Sequence, residues 1–447
     1  KDYIYLLPLY RAESYIASRV CIALQLQPPQ LEPMEDELDE LEQVQGIAYD
    51  PVQRRAIAEA VQSRMFILTG GPGTGKTTTL RGILALLERR GEKVSLAAPT
   101  GRAAKRMAEI TGRDASTIHR LLEVEPKTEV LTFKRGEKNP LPADAVIVDE
   151  MSMVDTLLME HLLRGMRLGA RLIMVGDSDQ LPSVAAGNVL RDLIQSGLVP
   201  CVHLERVFRQ AAESLIVTNA HAIVKGEMPE LSCRTGDFFF LEKEDALAQQ
   251  RLVVDLVSRR LPKSYGYDPL RDIQVITPAK QGPLGTRELN RCLQYKLNPP
   301  AHGKGEATLM GRTLREGDKV MQIRNNYDIV WQQPDGTAGA GIFNGDMGMI
   351  EDKLATYSFE NQDQLEHAYA VTVHKSQGSE FEAVVMPLER RHPKLHYRNL
   401  LYTAVTRARR LLIMTGQKET VYAMVQNNRR TLRYTNQMEM LREMYNE

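Results

Sequence analysis

Residues 65–77 read MFILTGGPGTGKT, and this stretch decides the fold. MFILT is a short apolar run of strand length. The glycine-rich turn that follows leads into KTTTLRGILALLERR, a helix-like stretch through Arg90. Gly70, Gly75, Lys76 and Thr77 fit the spacing GxxxxGK[ST]. Each residue type has a physical task there. Glycines let successive backbone N–H groups turn inward around phosphate oxygens. The helix start adds free donors and a partial positive charge. Lys76 can reach terminal phosphates, and the Thr77 hydroxyl can ligate Mg²⁺. A plain glycine-rich turn with an exposed lysine would not need the strand–loop–helix order.

Working outward, AVIV (145–148) is a second buried-strand run, ending in Asp149 and Glu150. A carboxylate pair at a strand's carboxyl end lies where open α/β sheets bind ligands. Asp149 suits a Mg²⁺ ion held through water, and Glu150 suits orienting or deprotonating an attacking water. A capped helix start is the competing reading of an apolar run ending in DE. A third strand, RLIMVGD (171–177), leads into SDQLPSV. Gln180 then falls just past a strand end, within reach of a γ-phosphate or the lytic water, unless it is an ordinary polar turn residue.

Composition bounds the rest. The chain has 447 residues, 43% hydrophobic and 26% charged, which excludes wholesale disorder and fibrous repeats. No apolar run approaches the roughly 18–20 residues of a membrane helix. Cys21, Cys201, Cys233 and Cys292 lie far apart without a CxxC, so the expectation is a reducing cytoplasm and no disulfide scaffold or zinc finger. The 57 basic and 57 acidic residues cancel, which by itself argues weakly against a nucleic-acid partner. The balance is uneven, however: residues 1–50 carry a net −7 and residues 389–447 a net +7. The opening KDYIYLLPLY has no basic n-region followed by a long apolar stretch and reads as part of a longer chain, not a signal peptide. Residues 9–26 have helical spacing, and EPMEDELDELE (32–42) reads as an exposed linker or a helix entrance.

Several further segments occur in one order: YDPVQRRAI (49–57), the phosphate loop, APTGRAAKRM (98–107), STIHRLL (116–122), VIVDEMSMVD (146–155), GDSDQLPSV (176–184), ERVFRQ (205–210), AVTVHKSQGSEF (370–381) and NLLYTAVTRAR (399–409). The set resembles the superfamily 1 helicases. Its VHKSQGSE and FNGD stretches resemble the RecD-like, 5′-to-3′ translocating branch, especially bacterial members that act outside a RecBCD complex. The resemblance runs from about residue 5 to about residue 425. It implies an α/β fold of two RecA-like P-loop domains with ATP between them. A remnant of an N-terminal region and an acidic linker would occupy 1–46, the first domain 47–205 and the second 206–447. A β-hairpin pin is expected at about 123–142 in the first, and an SH3-like β insertion at about 312–368 in the second.

Residue by residue, the resemblance implies that Gln53 reads the adenine, that Gly73, Thr74, Gly75, Lys76, Thr77 and Thr78 cradle the phosphates, and that Glu380 contacts the ribose. Thr77 and Asp149 would hold Mg²⁺; Lys76, Asp149, Glu150 and Gln180 would serve hydrolysis, with Arg209 and Arg407 donated by the second domain. Guanidinium forks suit a transition state whose charge spreads over equatorial oxygens. The implied DNA contacts are Thr100, Gly101, Arg102, His119, Asn344, Thr372, His374 and Lys375. His119 falls in a helix expected to be capped by Ser116, where a packing role competes. Tyr327, Trp331 and Phe343 could stack bases or fill a core. Between Asp352 and Tyr357 the chain has only KLAT, shorter than the family's usual strand–turn–strand.

The expected protein is thus an ATP- and Mg²⁺-dependent 5′-to-3′ DNA helicase of repair or recombination, monomeric, bacterial and cytoplasmic, bound to single-stranded DNA and its junctions with duplex. Alternatives within enzymes are a translocase, an RNA-directed ATPase, or the helicase module of a relaxase-type protein. A relaxase would need a His-rich metal triad and nucleophilic tyrosines, and no such cluster stands in the sequence. A loading subunit using ATP only as a clamp is the non-catalytic alternative.

Overall fold

Met65–Gly70 is a strand buried along its whole length, as its apolar run requires. In the computed structural model it lies between Arg171–Gly176 and Cys201–Leu204 in a six-stranded sheet. Beyond Arg171–Gly176 the order continues through Ala145–Val148, Val94–Ala98 and Ala115–Thr117. Every pairing is parallel. Side chains alternate between two cores: Ile67, Val146, Leu172 and Met174 enter one, and Phe66, Leu68, Ile147 and Ile173 the other. Burial on both faces is why these strands read as unbroken apolar runs. Helices Leu7–Gln25, Thr156–Gly165, Val189–Ser196 and Gln437–Asn446 close the first core. Helices Glu35–Gln45, Pro51–Gln62 and Lys76–Arg89 close the second. The acidic stretch is therefore a helix entrance, with Leu38 and Leu41 buried under its charged face.

The structure describes residues 4–26, 32–125, 132–309, 311–332, 336, 338–351, 357, 359–428 and 433–446, without the side chains of 209, 210, 309, 327, 359 and 360. They form two units, Lys1–Ala211 with Thr431–Glu447, and Ala212–Arg430. This differs from a second domain running to 447 and an N-terminal remnant standing apart. Helix Gln437–Asn446 packs on Leu7–Gln25 and Val189–Ser196, burying Met440 and Leu441 in the first unit's core. Long-range apolar burial decided that placement, which local pattern does not carry.

The pin segment is also shorter than expected. Val124–Glu125 pairs antiparallel with Thr132–Phe133, and the intervening tip (126–131) lies outside the described residues. The pairing continues through the Lys134 N–H on the Glu123 carbonyl and the Arg135 N–H on the Leu122 carbonyl, both at 3.1 Å, and residues 136–142 leave it. Gly136 and Asn139 form an isolated bridge, and the Leu141 N–H donates to the Gly165 carbonyl at 2.7 Å. The helix Ile118–Leu121 is capped by Thr117, whose hydroxyl accepts from the Arg120 N–H, and not by Ser116.

The second unit holds a five-stranded parallel sheet in the order Ala370–Thr372, Ile273–Thr277, Phe381–Pro387, Ala408–Gly416, Phe238–Glu242. Between its second and third strands in sequence lie small antiparallel sheets. Lys319–Gln322 runs between Met347–Met349 and Leu365–His367, and Asn326–Gln332 pairs with Ala338–Ile342. The KLAT segment falls outside the described residues. Trp331 donates from Nε1 to the Gly341 carbonyl at 3.1 Å and packs over Gly339 on the paired strand. It is a packing residue of its own hairpin.

Asp318, fully buried, joins this insertion to the sheet. Its carboxylate accepts from Gln294 Nε2 and Asn298 Nδ2 at 2.7 Å, the Arg315 N–H at 2.7 Å and the Tyr369 hydroxyl at 2.8 Å, with His367 Nε2 at 3.1 Å. Burial pushes its pKa up, but the donors of His367, Asn298, Tyr369 and Arg315 outweigh that and hold it below the ordinary carboxylate value. Asp318→Ala strands several buried donors at once and is expected to cost the second unit about 3 kcal/mol or more. Urea unfolding of wild type and variant, followed by circular dichroism, checks this; an unchanged midpoint would refute the carboxylate's role.

Candidate functional site

The phosphate loop emerges at the carboxyl end of Met65–Gly70 and ends at Gly75, the N-cap of helix Lys76–Arg89. No side chain caps that helix, so its first N–H groups stay available to an anion. Gly75 has φ +83°, and a Cβ there would fall 2.4 Å from Gln53 Nε2. Only glycine meets both conditions. Lys76 lies across the loop and donates from Nζ to the Gly70 carbonyl at 2.5 Å and the Gly71 carbonyl at 2.8 Å. Thr74 Oγ1 donates to the Gly71 carbonyl at 2.9 Å, and the Phe208 N–H to the Gly73 carbonyl at 3.2 Å. Thr77 is exposed and Thr78 half-buried at the start of the helix.

Gln53 is only 1% exposed, and its amide is already engaged. Oε1 accepts from the Asp50 N–H at 3.1 Å in a capping box, and Nε2 lies 3.5 Å from the Gly75 carbonyl. It therefore ties helix Pro51–Gln62 to the phosphate loop.

Asp149 and Glu150 follow strand Ala145–Val148 directly. One strand, Arg171–Gly176, separates that strand from the one carrying the phosphate loop. The Asp149 Oδ1 accepts from the Glu150 N–H at 2.8 Å. Glu150 adopts φ +54°, ψ 41°, a left-handed conformation that costs a non-glycine residue roughly 1 kcal/mol. Strain held at one of the two acidic residues beside a phosphate loop points to function. Asp177 ends the strand between them. It was missed in the sequence, although it follows a strand end as Asp149 does. Its carboxylate accepts from the Asp179 N–H at 3.0 Å and from Gln180 Nε2 at 3.3 Å. Among the described residues the Gln180 Oε1 is buried with no hydrogen-bond partner.

The Thr77 hydroxyl at the helix start and the Asp149 carboxylate after its strand are hard oxygen donors of the kind Mg²⁺ takes. Among the described residues no group of three or more His, Cys, Asp or Glu could hold a metal. These two oxygen donors are compatible with Mg²⁺, an ion bound through few protein oxygens that keeps water and phosphate oxygens in its shell.

Elsewhere in the first unit, Thr100 caps helix Gly101–Thr111 by accepting from the Ala103 N–H at 3.2 Å, which places Gly101 and Arg102 in that helix's first turn. His119 packs against Phe133 of the hairpin at 5.9 Å between ring centroids, and Phe133 against His161 at 4.8 Å. Burial, with His161 adding and Asp155 opposing, holds the His119 pKa below the ordinary histidine value.

The second unit separates its expected residues onto opposite edges of one sheet. Thr372, level with Thr277, stands at the carboxyl edge, and His374 and Lys375 follow it. The Lys375 N–H donates to Thr372 Oγ1 at 3.3 Å, and its ammonium pairs with Glu366 at 2.6 Å. Glu380 and Arg407 stand at the amino edge, just before the paired residues Phe381 and Ala408. Glu380 pairs with Arg409 at 3.2 Å. Arg407 is 2% exposed and donates to the carbonyls of Thr403 (3.0 Å) and Ser379 (3.1 Å) and to Thr406 Oγ1 (3.1 Å). Asn344 is exposed, and its N–H donates to Asn325 Oδ1 at 2.9 Å. Arg209, expected from the second domain, instead falls within the first unit (Lys1–Ala211), where it begins a short helix; its side chain lies outside the described residues.

Three families match parts of the chain: an AAA domain over 53–186, an ATP-dependent RecD-like DNA helicase SH3 domain over 289–369, and a UvrD-like helicase C-terminal domain over 367–415. The chain is 36% identical over 425 residues to the ATP-dependent RecD2 DNA helicase of Deinococcus radiodurans, covering 92% of this chain and 55% of that protein. It thus spans about half the length of that relative. It is 33% identical over 416 residues to the RecBCD enzyme subunit RecD of Mycobacterium tuberculosis, covering 83% of this chain and 70% of that protein. A solved Pif1 helicase from Bacteroides, in complex with ADP-AlF3 and ssDNA, is 18% identical with a TM-score of 0.47, covering 88% of this chain and 94% of its own.

Proposed function

The chain belongs to the RecD-like branch of the superfamily 1 helicases, and from that membership we propose that it is an ATP- and Mg²⁺-dependent DNA helicase that moves 5′-to-3′ on single-stranded DNA. One observation carries the ATPase part of the reading. An uncapped helix start under Lys76 lies beside the strained Glu150 and the orphaned Gln180 Oε1, all following strands of one parallel sheet.

The roles follow from that chemistry. Lys76 leaves two neutral carbonyls for the β- and γ-phosphate oxygens, a stronger charge-assisted contact. Glu150 accepts the proton of the attacking water. Gln180 offers its unpartnered oxygen to the same water while its NH₂ group stays on Asp177. Arg407 stabilises charge on the transferred phosphoryl group. Thr77 and Asp149 would hold Mg²⁺, which would supply counter-charge to the phosphates.

Thr372, His374 and Lys375 contact the DNA backbone, together with the helix start at Thr100–Arg102. Support comes from their place at the ends of parallel strands, where such sheets take ligands. The hairpin strands Val124–Glu125 and Thr132–Phe133, braced by His119 and His161 through Phe133, belong to the pin that splits duplex ahead of the translocating chain. The protein acts as a monomer in the bacterial cytoplasm; among the described residues no helix is long and apolar enough to cross a membrane.

Two duplexes, one with a 5′ single-stranded tail and one with a 3′ tail, test the reading. ATP-dependent unwinding of the 5′-tailed substrate alone is the expected result. Unwinding of only the 3′-tailed duplex would overturn the polarity, and hydrolysis stimulated by RNA as strongly as by DNA would overturn the substrate.

A further inference from the structure

Gln180 is joined to helix Val189–Ser196 by residues 181–188, which form neither helix nor strand. Such a segment presents carbonyls that no ladder satisfies. In this loop they are taken up from outside. The Ala186 carbonyl accepts from the Thr156 N–H at 3.1 Å. The carbonyls of Ser183, Ala185 and Gly187 all accept from one guanidinium, that of Arg433, with Gly187 at 2.9 Å. Arg433 Nη1 also lies 3.4 Å from Ser183 Oγ. On its other side the loop abuts helix Thr156–Gly165, because a Cβ at Gly187 would fall 2.0 Å from Thr156 Oγ1. The loop is therefore clamped between a helix and an arginine fork.

Arg433 reaches the loop on the segment that returns to the first unit as helix Gln437–Asn446. A second arginine of that segment, Arg442, donates to the Gln195 carbonyl at 2.7 Å and the Ser196 carbonyl at 3.3 Å. It satisfies the far end of helix Val189–Ser196. The two arginines thus hold opposite ends of residues 183–196, and only the Arg433 end adjoins Gln180.

We propose that Arg433 is a positioning residue for hydrolysis: by clamping the Ser183–Gly187 loop it aims the Gln180 amide at the attacking water. Gln180 needs such help. Among the described residues its one side-chain hydrogen bond is the long 3.3 Å contact to Asp177, and its oxygen has no partner. Ser183 is three residues away, with Leu181 buried between them, so fixing Ser183 restricts where Gln180 can point. A planar fork reaches three carbonyls at once, which a lysine ammonium on a flexible stem does not. The proposal rests on the ATPase reading above.

The test uses the full chain with saturating single-stranded DNA and varied ATP. Arg433→Ala is expected to lower kcat roughly ten- to hundredfold while KM for ATP stays within about twofold, because a misplaced group costs turnover and not binding. Arg433→Lys should recover only part of the loss, and added guanidinium should raise the turnover of Arg433→Ala but not of wild type. Arg442→Ala serves as the control for stability, lowering the melting temperature with kcat unchanged. Wild-type turnover in Arg433→Ala, or an equal kcat loss in Arg442→Ala, would overturn the proposal. Absence of hydrolysis in the wild-type chain would instead overturn the ATPase reading.

Discussion

Lys76→Ala is expected to lower ATP turnover roughly a hundred- to thousandfold and to abolish unwinding. The loop keeps its shape in this variant, because Gly73 and Gly75 set its backbone and Thr74 Oγ1 still donates to the Gly71 carbonyl. What goes is the one positive side chain spanning the loop, bonded to the carbonyls of Gly70 and Gly71. The helix N-terminus retains its N–H groups, so some nucleotide binding survives. Turnover falls further than affinity because charge moves onto the phosphate oxygens in the transition state. A coupled ATPase assay with single-stranded DNA checks the result. Near-normal hydrolysis would remove the loop from the mechanism.

The second large effect is expected at Arg407. The residue is 2% exposed, and its three hydrogen bonds among the described residues go to neutral oxygens. A buried cation with neutral partners alone is costly unless an anion supplies counter-charge. A phosphoryl group is such an anion, and the cost is the physical reason to expect one. Arg407→Ala is expected to reduce kcat about a thousandfold with ATP affinity changed less than about tenfold. Arg407→Lys should resemble alanine more than wild type, since the ammonium cannot make the planar two-pronged contact. Steady-state kinetics with a fluorescent nucleotide titration separates the two quantities. An equal loss of binding and turnover would argue against stabilisation of the transition state.

Much of the first unit was legible in the sequence because its signals are local. A phosphate loop needs four set residue types at fixed places within eight successive residues, and 70–77 supply them. Apolar runs such as AVIV and RLIMV mark strands buried on both faces. The hairpin was expected at about 123–142, but its extent was not legible, since the bridge at Gly136 and Asn139 closes a separate turn. Gln53 was legible only as a motif position. Its capping box and its approach to Gly75 depend on helix Pro51–Gln62 meeting the loop in space. Asp318 and Arg433 carried no signal, because their partners lie far along the chain.

The charge balance shows the same division. Zero net charge weakly opposed a nucleic-acid partner, and its uneven distribution removed that objection without saying where the charges go. The structure assigns several to ion pairs, as with Lys375 and Glu366 or Arg409 and Glu380.

By itself the sequence determined the fold class, the phosphate loop and the order of the helicase segments, since these depend on spacing along the backbone. Tertiary structure alone decided that helix Gln437–Asn446 belongs to the first unit and that Glu380 and Arg407 stand on the opposite sheet edge from Thr372. It also decided that Arg407 is buried on neutral oxygens and that Arg433 clamps the loop after Gln180. These features depend on which surfaces bury one another, and burial is a property of packed neighbours that residue order does not state.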